Sequence, residues 1–461
     1  MTRIEFVIQQ IHQLITDGVW LPGARIWSIR TCAAELNISK NTVVEAYDRM
    51  VALGQLEARI GSGYYVPTTS RHDRLPKVLS VAQAVDAASL LREQLVRHYE
   101  VRVGEGRPPH DWVGSPQFRL PSTPYARPED NQVHGYGDPW GFIRLREYLA
   151  QSLCDRYIQV ETEQILTTLG ANHALDLIAR QLLEPGDTVL VDSPGYYPLF
   201  AKLHLCGVQI VGVRRLVSGP DIEDLNAKAA RYRPKIFFTQ SQAHNPTGSS
   251  LSLPTGHRIL LAAAQHGFQV VEDDPFADIL PADAPRLASL DQLERVIYVG
   301  TFSKTLSAGL RVGYVACNAP LARALCDLKM LTIASSDDIA ERMLYDFIAS
   351  GHYLKHLRKL RNKVAQATDQ ALTTLHKLGL GVFCEPSNCF YLWAYLHPGD
   401  HEEQLVEEAS ESSIFIAPGR IFTPDRASAR PAMRLNVAYA CQPKFIEFMQ
   451  RRKQKLHRTV P

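Results

Sequence analysis

Three stretches of this chain end a run of branched apolar residues on a group that can do chemistry. KIFFTQSQAHNPTG closes on Asn245-Pro246-Thr247-Gly248, QVVEDDPF presents Asp273 and Asp274, and RVIYVGTFSKTLSAGLRVGY puts Lys304 in a polar loop followed by Arg311. A lysine amine can condense with an aldehyde, a carboxylate can keep a proton on a ring nitrogen, and an amide can donate to a phenolic oxygen. Such a site also needs hydroxyls, amides and a cation around a phosphate. Each signal is weak by itself, since a lone lysine is usually a surface lysine, NPTG is a turn, and Asp-Asp is a common strand end or helix cap. Their succession after three predicted strands argues for one site, and the set is what pyridoxal phosphate requires.

The elements around these groups follow from the same pattern. Beyond residue 130, helical stretches alternate with TVLVD, KIFFTQ, QVVED, RVIYVG and GYVAC, which predicts an α/β domain with a largely parallel sheet. In such a sheet, ligands collect where loops leave the strand ends.

The first 66 residues read differently. Ile4, Val7, Ile8, Ile11, Leu14 and Ile15 recur at helical spacing and predict a helix ending near Asp17-Gly18. Ser28 can cap IRTCAAEL, Ser39 can cap KNTVVEAYDRMVAL, and Asn37-Ile38 sits in the corner between them, which is helix-turn-helix spacing. LEARIGSGYYV then reads as a hairpin turning at Gly61-Ser62-Gly63. In a winged helix-turn-helix the start of the second motif helix faces base edges, here Ser39, Lys40, Asn41 and Thr42, while Arg30 and the wing residues Gly61 and Gly63 meet phosphate. Residues 1–66 hold six basic and six acidic side chains, so DNA affinity would rest on the few cations that reach the backbone.

Composition sets the outer bounds. A chain of 461 residues is too long for one core, and 50 Lys plus Arg against 48 Asp plus Glu leaves no large field to draw in nucleic acid or an anionic membrane. Eight cysteines are scattered without a CxxC pair, which reads as reduced thiols in a cytoplasmic protein without structural zinc. The start lacks a signal-peptide core and no segment has the apolar length to span a bilayer, so a soluble protein with no membrane partner is expected. From Thr68 to about Pro109 loop composition surrounds one helical stretch, VAQAVDAASLLREQLVRHYEV, and the basic tail RRKQKLHR reads as a solvated helix end. The expected division is a DNA-reading domain over 1–67, a linker with a helix over 68–110, and a large domain over 111–461.

DGVWLPGARIWSIRTCAAELNISKNTVVEAYDRMVALGQLEARIGSGYYV resembles the DNA-binding domains of the GntR superfamily, with Trp27 standing where that family usually has proline. Residues 130 to 461 resemble fold-type I aminotransferases, and TFSKTLSAGLRVGY is similar to regulators of the MocR type. The resemblance implies that Lys304 forms the Schiff base with pyridoxal phosphate, that Asp273 pairs with the pyridine nitrogen, and that Asn245 donates to the phenolic oxygen. It implies phosphate binding by Arg311, Thr301, Ser303 and the helix-start amides of Ala171 and Asn172 in TLGANHALDLIARQL, with the Tyr196 ring over the cofactor. Tyr136 of HGYGDPWG would reach the partner subunit's phosphate in a domain-swapped homodimer, and Arg434 of PAMRLNVAY would hold an effector carboxylate. Two departures bear on activity. Phe276 stands where aminotransferases carry a tyrosine, removing a hydroxyl from the cofactor's phenolic oxygen, and Ser387-Asn388-Cys389 replaces a glycine pair near the ligand. The implied function is a regulator that binds double-stranded DNA and senses pyridoxal phosphate or a small amine or amino acid. The alternative is a working aminotransferase carrying a DNA-binding arm.

Overall fold

The computed structural model describes residues 3–52, 54–59, 62–67, 98–113, 136–425 and 430–459. Gly61 and the expected linker helix up to residue 97 lie outside the described residues. The chain forms two compact units, residues 1–78 and 79–461.

In the smaller unit, α1 (Arg3–Thr16), α2 (Ile29–Glu35) and α3 (Lys40–Ala52) precede a hairpin of β1 (Glu57–Arg59) and β2 (Gly63–Tyr65). The register pairs Glu57 with Tyr65 and Arg59 with Gly63. Val7 and Ile11 from α1, Cys32 from α2, and Val43, Ala46, Tyr47 and Met50 from α3 are buried together with Leu56 and Val66. Helical spacing explains the selection, since these residues fall on one stripe of each helix. The Ser28 hydroxyl accepts from the Thr31 amide at 3.1 Å and starts α2, and Asn37 takes the left-handed backbone (φ 52) that the motif's corner needs. Trp27 packs edge-on against Trp20 with centroids 5.1 Å apart. Its carbonyl accepts from the buried Tyr47 hydroxyl at 3.0 Å, so an aromatic contact braces the start of α2 at this position.

The larger unit is built on an eight-stranded sheet in the order β3-β10-β9-β8-β7-β4-β5-β6. The strands are β3 (Ile165–Thr168), β4 (Thr188–Ser193), β5 (Gln209–Leu216), β6 (Gly219–Pro220), β7 (Ile236–Thr239), β8 (Gln269–Asp274), β9 (Val296–Thr301) and β10 (Gly313–Ala316). Five central strands, β5-β4-β7-β8-β9, run parallel, and β10 lies antiparallel to both β3 and β9. Helices cover the sheet, which is why β7 and β9 are buried along their whole length and read as continuous apolar runs. A second sheet, β11 (Tyr391–Tyr395), β12 (Ala417–Pro418) and β13 (Ala432–Asn436), has the order β11-β13-β12.

The expected linker is corrected at its C-terminal end. His98–Val101 are not helical, Val101 bridges to Ile414, and the Gly104 amide donates to the Phe415 carbonyl at 2.8 Å. Val103 is fully buried, and a methyl group at Gly104 would stand 2.3 Å from the Ala417 amide. Residues 98–107 are therefore a strap built into the large unit. No described helix is long and apolar enough to cross a membrane.

Candidate functional site

The C-terminal ends of β7, β8 and β9 place Gln240, Asp273 and Thr301 side by side, where parallel-strand topology puts a ligand crevice. Asp273 and its chain neighbour face different surroundings. Asp274 Oδ2 is held by a buried ion pair with Arg286 at 2.7 Å and by the Tyr298 hydroxyl at 3.0 Å, so a cation already balances its charge, although its Oδ1 has no hydrogen-bond partner among the described residues. Asp273 accepts only from the Gln240 amide, at 2.6 Å on Oδ2, and its Oδ1 is buried without a hydrogen-bond partner among the described residues. Burial raises the Asp273 carboxyl to about 6, against the lowering pull of the Gln240 hydrogen bond. A cationic N–H brought to Oδ1 would satisfy the orphaned oxygen and favour the charged form.

Lys304 projects from the loop after β9 and donates to the Gly106 carbonyl at 2.5 Å. Desolvation, followed by the nearby Arg434 charge, brings its ammonium down to about 8, so the amine carries a reactive unprotonated fraction near neutral pH. Gln240 Oε1 accepts from the Asn245 backbone N–H at 2.8 Å, and Asn245 Oδ1 accepts from Arg434 Nη1 at 3.1 Å. One glutamine thus ties the aspartate to the asparagine loop. The Asn245–Pro246 peptide is cis.

Arg434 lies on β13, 1 % exposed. Its guanidinium rests on the rings of Tyr391 and Phe422, 4.8 and 5.0 Å from their centroids, and Nη2 donates to the Gly104 carbonyl at 2.7 Å. Its Nε has no partner among the described residues. A buried arginine held only by neutral oxygens keeps an unbalanced charge, which a carboxylate would satisfy.

An anion cradle forms at the other side of the crevice. Gly170, in the left-handed region (φ +77), precedes the helix Ala171–Leu182, so the helix-start amides of Ala171 and Asn172 stand where an anion is favoured. A methyl group on Gly170 would meet Arg311 Nη2 at 2.9 Å, and that nitrogen donates to the Leu169 carbonyl at 2.9 Å. The Thr301 hydroxyl donates to the Val312 carbonyl at 3.2 Å and lies 3.1 Å from the Ser303 hydroxyl, which holds the hydroxyl pair beside the turn carrying Arg311. Tyr196 donates to Asn172 Oδ1 at 3.3 Å. The orphaned Asp273 oxygen and the glycine cradle both fit pyridoxal phosphate. Tyr136 is 87 % exposed, with no hydrogen bond to the site among the described residues.

Sequence reasoning missed part of the site. Gly104 and Gly106 contribute carbonyls, Asn436 holds the Glu105 and Arg107 carbonyls at 3.0 and 2.9 Å, and Tyr391 donates to Gly106 at 2.7 Å. The repeated glycines of GEGRPP were the available signal and read only as loop composition. Phe276 is buried against Phe390 and Tyr391, with centroids 5.3 and 5.8 Å away, and Asn388 donates to the Ile279 carbonyl at 3.2 Å.

In the smaller unit, Arg30, Lys40 and Asn41 are exposed and Thr42 is half-buried. The Ser39 hydroxyl accepts from the Thr42 amide at 3.2 Å and bonds its hydroxyl at 2.8 Å, so Ser39 caps α3. Gly63 (φ +113) makes room for the Arg25 guanidinium, which a methyl group would meet at 3.1 Å. Arg25 and Arg59, the latter 4.3 Å over the Tyr65 ring, are wing cations that the sequence reading passed over.

Comparison with known proteins agrees with this division. Residues 102–445 match the model for aminotransferase class I and II, and residues 3–66 match that for bacterial regulatory proteins of the gntR family. An HTH-type transcriptional regulator of Bacillus subtilis, YdfD, is 26 % identical over 94 % of this chain and 92 % of its own length. The HTH-type transcriptional regulator NorG of Staphylococcus aureus is 24 % identical over 90 % of this chain and 95 % of its own. The crystal structure of Pyrococcus horikoshii kynurenine aminotransferase in complex with PMP superposes with a TM-score of 0.72 at 25 % identity, covering 81 % of this chain and 94 % of that one. With a gntR-type helix-turn-helix ahead of an aminotransferase domain that spans well over half its length, the chain belongs to the class I and II aminotransferase family and is a transcriptional regulator with a gntR-type DNA-binding domain.

Proposed function

We propose that this DNA-binding regulator holds pyridoxal phosphate in its larger unit and uses it to sense a small ligand, either the cofactor itself or an amine or amino acid. The observation that carries the reading is the buried, unpartnered Asp273 Oδ1 in the same crevice as Lys304. When bound, the cofactor supplies an aldehyde that an amine can take up reversibly. Lys304 offers the protein's amine, Asp273 keeps the ring nitrogen protonated, and Asn245 faces the phenolic oxygen. Arg311, Thr301, Ser303 and the amides of Ala171 and Asn172 take the phosphate, Tyr196 covers the ring, and Arg434 binds an effector carboxylate. Tyr136 completes the phosphate site of a second subunit, so the protein acts as a domain-swapped homodimer. Lys40, Asn41 and Thr42 read base edges, with Ser39 as their cap, and Arg30 meets phosphate together with the wing around Gly63.

Regulation requires that the ligand bind one arrangement of the DNA-reading units better than another. The test is a pair of measurements on the full chain. Purified protein given pyridoxal phosphate should show a visible absorbance band that Lys304→Ala removes, and DNA affinity should differ with and without the cofactor, or shift when an amine alters the band. A parent protein without the band, or with DNA affinity indifferent to both, overturns the reading. Arg434 also suits an aminotransferase, the second reading, and Phe276 counts against it. Rapid turnover of an amino acid with a keto acid would promote that reading.

A further inference from the structure

By the resemblance to aminotransferases, Phe276 stands where a tyrosine would bring a hydroxyl to the cofactor, and another strand brings a hydroxyl to the acceptor of Lys304. Tyr391 opens β11, 1 % exposed, with its ring at 72° to that of Phe276 and 5.8 Å from it. Its hydroxyl donates to the Gly106 carbonyl at 2.7 Å, and Lys304 Nζ donates to that same oxygen at 2.5 Å. The amine and the phenol are therefore separated by a single carbonyl oxygen. Asn436, opposite Tyr391 in the β11–β13 register, grips the carbonyls on either side of Gly106, so the shared acceptor is fixed in place. The Arg434 guanidinium lies 4.8 Å above the Tyr391 ring, which holds the phenol from its face.

We propose that Tyr391 is the positioning residue that sets how firmly the nitrogen of residue 304 keeps its proton, in the role that a tyrosine at position 276 would otherwise share. The inference rests on the reading that pyridoxal phosphate binds at Lys304. A carbonyl oxygen has two acceptor directions. With Tyr391 in place one of them is taken and the nitrogen has the other. With the hydroxyl gone, the whole acceptor faces the nitrogen, and a protonated nitrogen gains. The charged groups acting on that nitrogen are Arg434, Glu105, Arg107 and Asp273, and neither a Tyr391→Phe nor a Phe276→Tyr substitution alters them. Tyr391→Phe removes one oxygen and keeps the ring, so its packing is preserved; Phe276→Tyr keeps the ring and adds one hydroxyl at a buried position.

The experiment is a spectrophotometric pH titration of the full chain loaded with pyridoxal phosphate. The parent is titrated first, and absence of a visible band there defeats the cofactor reading. Given the band, Tyr391→Phe should move its titration midpoint upward by about one pH unit, the size of shift that loss of one hydrogen-bonding group produces. Adding Phe276→Tyr to that variant should bring the midpoint back by at least about half of the shift. Should Tyr391→Phe abolish the band, recovery of the band in the double variant supports the proposal and failure to recover it overturns it. An unmoved or lowered midpoint in Tyr391→Phe also overturns it.

Discussion

Two adjacent carboxylates show how much a single residue's surroundings decide. Each leaves its Oδ1 without a partner among the described residues, but Asp274 Oδ2 is balanced by Arg286 and Tyr298, whereas Asp273 Oδ2 has only the neutral Gln240 amide and its carboxyl is raised to about 6. Asp273→Asn should leave the fold intact and weaken pyridoxal phosphate binding by roughly tenfold or more, because the amide cannot neutralise a ring N–H cation. Equilibrium dialysis checks this, and an unchanged affinity would remove Asp273 from the site. Lys304 gives a pH prediction. Its ammonium titrates at about 8, below the ordinary lysine value of 10.5, and only the unprotonated amine attacks an aldehyde. The rate of band formation should therefore climb up to pH of about 8 and level off about one unit above it; a rate still climbing beyond pH of about 10 would mark an ordinary exposed lysine. Lys304, Asp273 and Asn245 could be proposed from the sequence because the proposed chemistry demands those side chains. Gly106 was not, because what it contributes is a carbonyl, which every residue has.

At the scale of elements, the cradle and the caps carry the strongest constraints. Gly170→Ala places a methyl group 2.9 Å from Arg311 Nη2 in a left-handed backbone, so it should lower affinity for pyridoxal phosphate by about tenfold or more while pyridoxal, which lacks the phosphate, loses little. Equal losses for both compounds would mean a distorted fold rather than a lost cradle. Ser39→Ala removes the acceptor for the Thr42 amide and should cost the smaller unit about 1 kcal/mol, seen as earlier unfolding in urea. The long parallel strands, the motif helices and the Ser28 cap were legible from apolar runs and capping residues. The short strands were not. β3 has four residues and β12 has two, too few for alternation to register, and the strap at 98–107 is held by strand-like pairing within a stretch whose composition says loop.

For the whole molecule, two compact units imply two cooperative melting events. Saturating pyridoxal phosphate should delay only the event of the larger unit, by the linkage that gives about 2.7 kcal/mol at a hundredfold excess over Kd. Calorimetry of Lys304→Ala, in which the delay shrinks, is the control, and a delay shared equally by both events would contradict independent unfolding. DNA binding tests the smaller unit. Lys40→Ala should weaken operator binding and lower the salt dependence by about one counterion, measured by titrating affinity against ionic strength.

The strap also fixes where this protein can be recombined. A hybrid that joined a foreign DNA-reading head at residue 111 would discard the carbonyls on which Lys304, Tyr391 and Arg434 depend, leaving a receptor deaf to its cofactor. Crossovers that preserve sensing have to fall upstream of residue 98, so the exchangeable cassette in natural gene fusion or laboratory shuffling is shorter than the linker's composition suggests.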